Sequence, residues 1–129
     1  MKIIYQTASG VAIIHPTGEL SIEEVAAKDV PSGVPYRIVN DDEVPSDRAF
    51  RDALKYDLTV DMPKAVNITK DRLRVERAPL LTALDVQYQR AQEDGRDTTI
   101  IISEKQRLRD VTKLADTATT LDELKALSA

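Results

Sequence analysis

The places where this chain could do chemistry are one histidine, two acidic groups and one run of basic residues. His15 ends a β-branched run, Val11-Ala12-Ile13-Ile14, and stands directly before Pro16. An imidazole there could serve as a general base or a metal ligand. Catalytic histidine needs an orienting partner, and no residue is placed to be one. His15 therefore reads as a solvent-facing strand-end residue. Asp41, Asp42 and Glu43 could chelate a hard cation, but three consecutive acids lack the alternating spacing and central glycine of a calcium loop. They read as a solvated acidic turn. Asp57 and Asp61 could pair for acid–base work, yet Asp61 precedes Met62-Pro63 and is accounted for as a helix cap.

Neither a phosphate-binding glycine loop nor a nucleophile elbow is present. Ser9, Ser21, Ser32 and Ser46 all stand in turn or cap contexts. The chain has no cysteine, which excludes disulfides, thiolate zinc sites and thiol nucleophiles. The expectation is a non-enzymatic protein without metal or cofactor.

The basic run is Lys64, Lys70, Arg72, Arg74 and Arg77. Lys70, Arg74 and Arg77 follow i, i+4, i+7 spacing and share a helix face. A nucleic-acid or phosphate patch is the functional reading, and it gives the alternative function of a regulatory module. Asp71 and Glu76 interleave with the cations, and no aromatic residue stands among them to stack on bases. The 129-residue chain carries a net charge of −4. Nucleic acid is therefore disfavoured, and a solvated face or an ion-pairing surface for an acidic partner is expected.

The elements that must position these residues differ between the two halves. Lys2-Ile3-Ile4-Tyr5-Gln6 and Val11-Ala12-Ile13-Ile14-His15 flank a Gly10-bearing turn and read as a β-hairpin. Ser21-Ile22-Glu23-Glu24 has the capping-box form and opens a short helix through about Lys28. Tyr36-Arg37-Ile38-Val39 reads as a third strand. Pro45-Ser46-Asp47 opens a second short helix, Arg48 to Lys55, with Ala49, Phe50, Ala53 and Leu54 on one side. Tyr56 to Val60 reads as an extended connector or edge strand.

Beyond Asp61 the pattern is helical. One helix is predicted from Met62 to about Glu93, with Val66, Leu73, Leu80, Leu84, Tyr88 and Ala91 as its apolar stripe. Pro79 predicts a kink near residues 75 to 79. Asp97 is expected to cap the next helix, Thr98 to Ala115, whose stripe is Ile101, Leu108, Val111 and Ala115. Thr120 caps a last short helix with Leu121, Leu124 and Leu127 on one face. The reading is an α+β protein with a β-rich subdomain over 1–60 and a helical hairpin plus terminal helix over 61–129. No segment approaches the length of an apolar membrane span, and the first residues do not form a signal peptide, so synthesis in the cytoplasm is expected.

Several blocks carry a family likeness. Asp29-Val30-Pro31-Ser32-Gly33-Val34-Pro35-Tyr36-Arg37-Ile38-Val39, Pro45 to Ala53, Asp61-Met62-Pro63-Lys64-Ala65 and Arg77-Ala78-Pro79-Leu80-Leu81-Thr82-Ala83-Leu84-Asp85 resemble small proteins of tailed bacteriophages and prophages, encoded beside tail-fibre genes. Lys105-Gln106-Arg107-Leu108-Arg109-Asp110-Val111-Thr112 and Thr120-Leu121-Asp122-Glu123-Leu124-Lys125 are similar to the C-terminal part of phage tail assembly chaperones. The blocks span most of the chain. Relatives often carry Trp where Leu54 stands here. The resemblance implies a tail or tail-fibre accessory, either an assembly chaperone or a small virion component. It implies action in the host cytoplasm during assembly, or a place in the virion tail.

Eight residues are candidates for binding a tail or tail-fibre protein, or a second copy of the chain. Phe50 and Leu54 are apolar anchors on the short helix, flanked by Arg48 and Arg51, in the aromatic-plus-arginine composition of interface hot spots. The competing expectation for Phe50 is a core position against Ile4, Ile13 and Ile38. Val66 and Leu73 extend the long helix beyond the reach of its hairpin mate. Arg74 and Arg77 supply the basic face.

Overall fold

The computed structural model describes all 129 residues, Met1–Ala129, and the chain divides into two compact units, Met1–Lys64 and Ala65–Ala129. In the first unit the expected hairpin forms from β1 (Lys2–Thr7) and β2 (Gly10–Ile14), and β3 (Tyr36–Val39) pairs with the other side of β1. The sheet is antiparallel throughout in the order β2-β1-β3, with Ile4 opposite Ile13 on one side and Arg37 on the other.

Alternation along β1 sends Ile3 and Ile4 to opposite faces, and both are fully buried. Ile3 packs with Val25, Ala26 and Val30 of the segment that holds α1 (Ile22–Asp29). Ile4 packs with Val39 and Val44, and with the partly buried Val11, Ile13, Tyr56 and Leu58. Both faces of the small sheet are thus covered, which compensates for its having only three strands. Helix α1 starts as the sequence predicts. The Glu24 N–H donates to Ser21 Oγ, and the Ser21 N–H donates to the Glu24 carboxylate at 2.8 Å.

Two local readings are corrected. The helix expected from Arg48 to Lys55 is only a 3₁₀ turn, Arg51–Ala53. Asp47 Oδ1 accepts the Ala49 N–H at 2.9 Å, so a local side-chain turn competes with helical hydrogen bonding at the start of the segment. The connector after it is a closed turn rather than an edge strand. Leu54 and Val60 form a single antiparallel bridge, and Lys55 donates to the Thr59 carbonyl. Asp57 Oδ1 accepts from both the N–H and the hydroxyl of Thr59, and Leu58 between them takes φ 67°. That left-handed conformation is uncommon outside glycine and has no signature in the sequence. Arg37 ties this turn to β3, donating to the Tyr56 carbonyl at 2.8 Å with its guanidinium 5.4 Å from the Tyr56 ring centre.

Helix α2 (Met62–Glu93) runs through Pro79 without ending. Asp61 Oδ1 accepts the Lys64 N–H at its start. It closes at Gly95, φ 67°, where Gly95 donates to the Gln92 carbonyl and Arg96 to the Ala91 carbonyl, a Schellman motif. The second unit continues with α3 (Thr99–Asp110), a 3₁₀ turn over Val111–Lys113, α4 (Leu114–Thr117) and α5 (Leu121–Ala126). Asp97 stands one residue before the N-cap position, Thr98, but still accepts the Thr99 N–H at 3.0 Å. Helices α2 and α3 form the expected hairpin, and the α+β class holds.

The cap and turn carboxylates make the fold sensitive to acid. The Ser21 N–H holds Glu24 below its ordinary value, the Thr59 hydroxyl does so for Asp57, and the Thr99 hydroxyl for Asp97. The N-terminal ammonium lowers Asp41, and Gln106 lowers Asp110. A carboxyl whose folded value lies below its unfolded value contributes stability above the unfolded value and loses it as pH falls through the folded one. The melting temperature is therefore expected to be flat near neutrality and to fall below about pH 4, the ordinary carboxylate range. A melting temperature unchanged into strong acid, followed by circular dichroism, would contradict these assignments.

Candidate protein-binding surface

In the first unit the candidate residues separate by burial. Phe50 is 8% exposed and Leu54 is 4% exposed, whereas Arg48 is exposed and Arg51 half-buried. The apolar anchors proposed for a displayed helix are therefore interior residues, on a segment that is not an α-helix. Of the expected neighbours of Phe50, Ile4 is buried, Ile13 half-buried and Ile38 on the exposed side of its strand. The arginines remain at the surface as the part of this group able to meet a partner.

In the second unit Leu73 is 0% exposed and Val66 half-buried. Leu73 is thus covered within the chain itself. The basic residues are engaged at home. Lys70 Nζ lies 2.6 Å from Asp116 Oδ1, and Arg74 pairs with Asp71 at 2.6 Å. Arg72 pairs with Glu76 and also donates to the Leu124 carbonyl of α5. Arg77 donates to the carbonyls of Leu108 and Arg109, the last turn of α3. The Leu108 carbonyl also accepts the Val111 N–H, and the carbonyls of this last turn carry the negative end of the helix, so a guanidinium there is stabilising. Lys70 and Arg77 thus tie α2 to other elements, while Arg74 pairs only with Asp71 on its own helix, and the face has few unengaged donors for nucleic-acid phosphates.

Sequence reasoning missed this use of Arg72 and Arg77. The available signal was an arginine recurring four residues after Leu73 and seven before Leu84, in line with the buried stripe. It missed a second feature as well. The hairpin leaves large apolar side chains outside. Leu80, placed in the inner stripe by its spacing, is 43% exposed. Val75, Val86, Ile100, Ile102 and Leu114 are also exposed. Between Arg74 and Arg107 only Ala91 is buried. A helix pair gains its stability from a buried apolar face, and this one leaves much of that face uncovered.

His15 is exposed and borders a shallow cleft of about 270 Å³ with Glu19, Leu20, Lys28 and Asp29. No three His, Asp or Glu side chains converge where they could hold a metal ion. No helix is long and apolar enough to cross a membrane. Comparison with protein-family models, curated proteins and solved structures finds no match to this chain.

Proposed function

We propose that the chain is a non-enzymatic, protein-binding accessory of a bacteriophage tail or tail fibre, acting as an assembly chaperone or as a small virion component. The observation that carries the protein-binding part is the helical hairpin with its large apolar side chains left outside, Ile100 at 82% exposure foremost. Exposed apolar patches of this kind mark interaction surfaces. The tail assignment rests on the sequence blocks that resemble phage tail-fibre-associated proteins and tail assembly chaperones. Its place of action on this reading is the host cytoplasm during assembly, or the virion tail. No cofactor takes part.

The regulatory alternative, in which the basic face binds nucleic acid or phosphate, is weaker because Lys70, Arg72, Arg74 and Arg77 already have partners within the chain. Co-expression with the tail-fibre protein of the same phage tests the proposal. The tagged chain is expected to retain that protein on an affinity column. Arg48→Glu/Arg51→Glu, which changes the surface cations beside Phe50, is expected to leave melting unchanged and to reduce retention. Absence of retention by the unaltered chain would refute the reading. Undiminished retention by the double variant would remove the Arg48–Arg51 segment from the interface.

A further inference from the structure

Along one side of α2 the chain covers only the beginning of a longer strip. At about 100° per residue, Arg72, Glu76, Leu80, Ala83, Gln87 and Arg90 fall within a sector of about 80°. Helix α5 and the residues after it hold the near end. Arg72 donates to the Leu124 carbonyl at 3.1 Å, and the Ala129 N–H donates to the Glu76 carboxylate at 3.2 Å. From Leu124 to Ala129 the chain therefore advances one turn along α2, toward Leu80. There its cover stops. Leu80, one turn beyond Glu76, and Ala83 are both exposed.

Helix α5 is a weak occupant. It has six residues, whereas an isolated helix needs about 12–15 to reach even marginal stability. It seats one fully buried side chain, Leu124, with Leu121 and Leu127 half-buried to either side. Its caps travel with it. Thr120 Oγ accepts the Glu123 N–H, and the Glu123 carboxylate accepts the Thr119 N–H at 2.7 Å. Ala118 before them is extended, so the segment can leave without unwinding α4.

We propose that the strip from Arg72 to Arg90 is a docking site for an amphipathic helix of a partner protein, and that α5 fills its near end until the partner displaces it. Helix α5 shows what the strip accepts. Leucines spaced by about one turn face α2. Carbonyls of a last helical turn, the negative end of a helix, meet the Arg72 guanidinium. A longer helix seated in this way runs antiparallel to α2 and brings its first turn to Arg90, a cation in none of the chain's salt bridges. An acidic first turn fits there, and α5 itself carries Asp122 and Glu123 in that turn. From Arg72 to Arg90 is about 27 Å, the length of a helix of about 18 residues. A partner of that length is past the marginal range and covers Leu80 and Ala83, which α5 leaves bare. The inference rests on the protein-binding half of the function proposed above and not on the tail assignment.

The probe is a fluorescein-labelled synthetic peptide of about 18 residues, with leucines at alternating spacings of three and four, an Asp-Glu first turn and blocked ends. Fluorescence anisotropy with the full chain is expected to show binding, and a scrambled peptide of the same composition none. Hydrogen exchange is expected to speed up at the α5 amides, Glu123 to Leu127, as the peptide binds. Thr120→Ala/Glu123→Ala loosens the α5 caps, and the larger open fraction is expected to tighten apparent binding about tenfold. Leu80→Asp, at an exposed position, is expected to leave melting unchanged and to weaken binding about tenfold or more. Absence of binding, or equal binding of the scrambled peptide, overturns the proposal. So does an α5 that stays protected with the peptide bound. A dimeric chain that ignores the peptide overturns it too, and gives the strip to a second copy. Failure of the peptide with the tail-fibre protein still retained on the column would sink the strip and leave the proposed function standing.

Discussion

Leu73→Asp is expected to unfold the protein. Leu73 is fully buried at the inner stripe of α2, whose other buried residues are the small Ala65, Thr69 and Ala91. In the second unit only Leu108 and Leu124 match it in size and burial, so no other group can replace its contribution. Truncation to alanine should cost about 2–5 kcal/mol. A carboxylate at the same point adds the cost of a buried charge without a partner. Total stabilities of single domains are about 5–15 kcal/mol, so the aspartate variant should lack a cooperative thermal transition at neutral pH. Leu73→Met keeps volume and polarity and should lose less than about 1.5 kcal/mol. A Leu73→Asp chain that melts like the unaltered protein would show that the buried stripe is wrongly placed.

Phe50→Ala is the second large effect, expected at about 3–5 kcal/mol. Phe50 is the only phenylalanine in the chain, and it is buried together with Ala53 and Leu54. The backbone around it is a single 3₁₀ turn, with little intrinsic stability to hold the segment once the ring is removed. The melting temperature should fall markedly, and urea denaturation should show a lower midpoint with the slope unchanged. A Phe50→Ala variant of undiminished stability would return Phe50 to the surface and revive its role as a displayed anchor.

Where the sequence reads correctly, the determinants are local. Ser21 and Glu24 are three residues apart and close a capping box whatever lies beyond them. Asp61 and Gly95 mark the two ends of a 32-residue helix through the chemistry of its first and last turns. Strands β1 and β2 follow from β-branched runs around a glycine-bearing turn, and β3 follows from the Tyr36–Val39 run. Where reading fails, the deciding interaction is either a competing side-chain bond or a tertiary one. Asp47 draws the Ala49 N–H out of a helical pattern, and Asp57 with Thr59 forces Leu58 into a left-handed turn. Nothing in residue type alone separates those aspartates from ordinary helix caps.

The candidate surface was legible in kind but not in position. Periodicity gives α2 an apolar stripe, but it does not separate Leu73, which is buried, from Leu80, which is exposed. Phe50 and Leu54 have the composition of an interface and the burial of a core. Spacing sets Arg77 in line with the buried stripe, but it does not name the carbonyls at the end of α3 that its guanidinium reaches.

The central claim is that this chain serves phage tail or tail-fibre assembly by binding protein. The most direct measurement is electron microscopy of particles made by a phage lacking this reading frame, with and without the chain supplied in trans. The account predicts particles with missing or reduced fibres, restored by the unaltered chain and not by the unfolded Leu73→Asp variant. Fully fibred, infectious particles in the absence of the chain would contradict it.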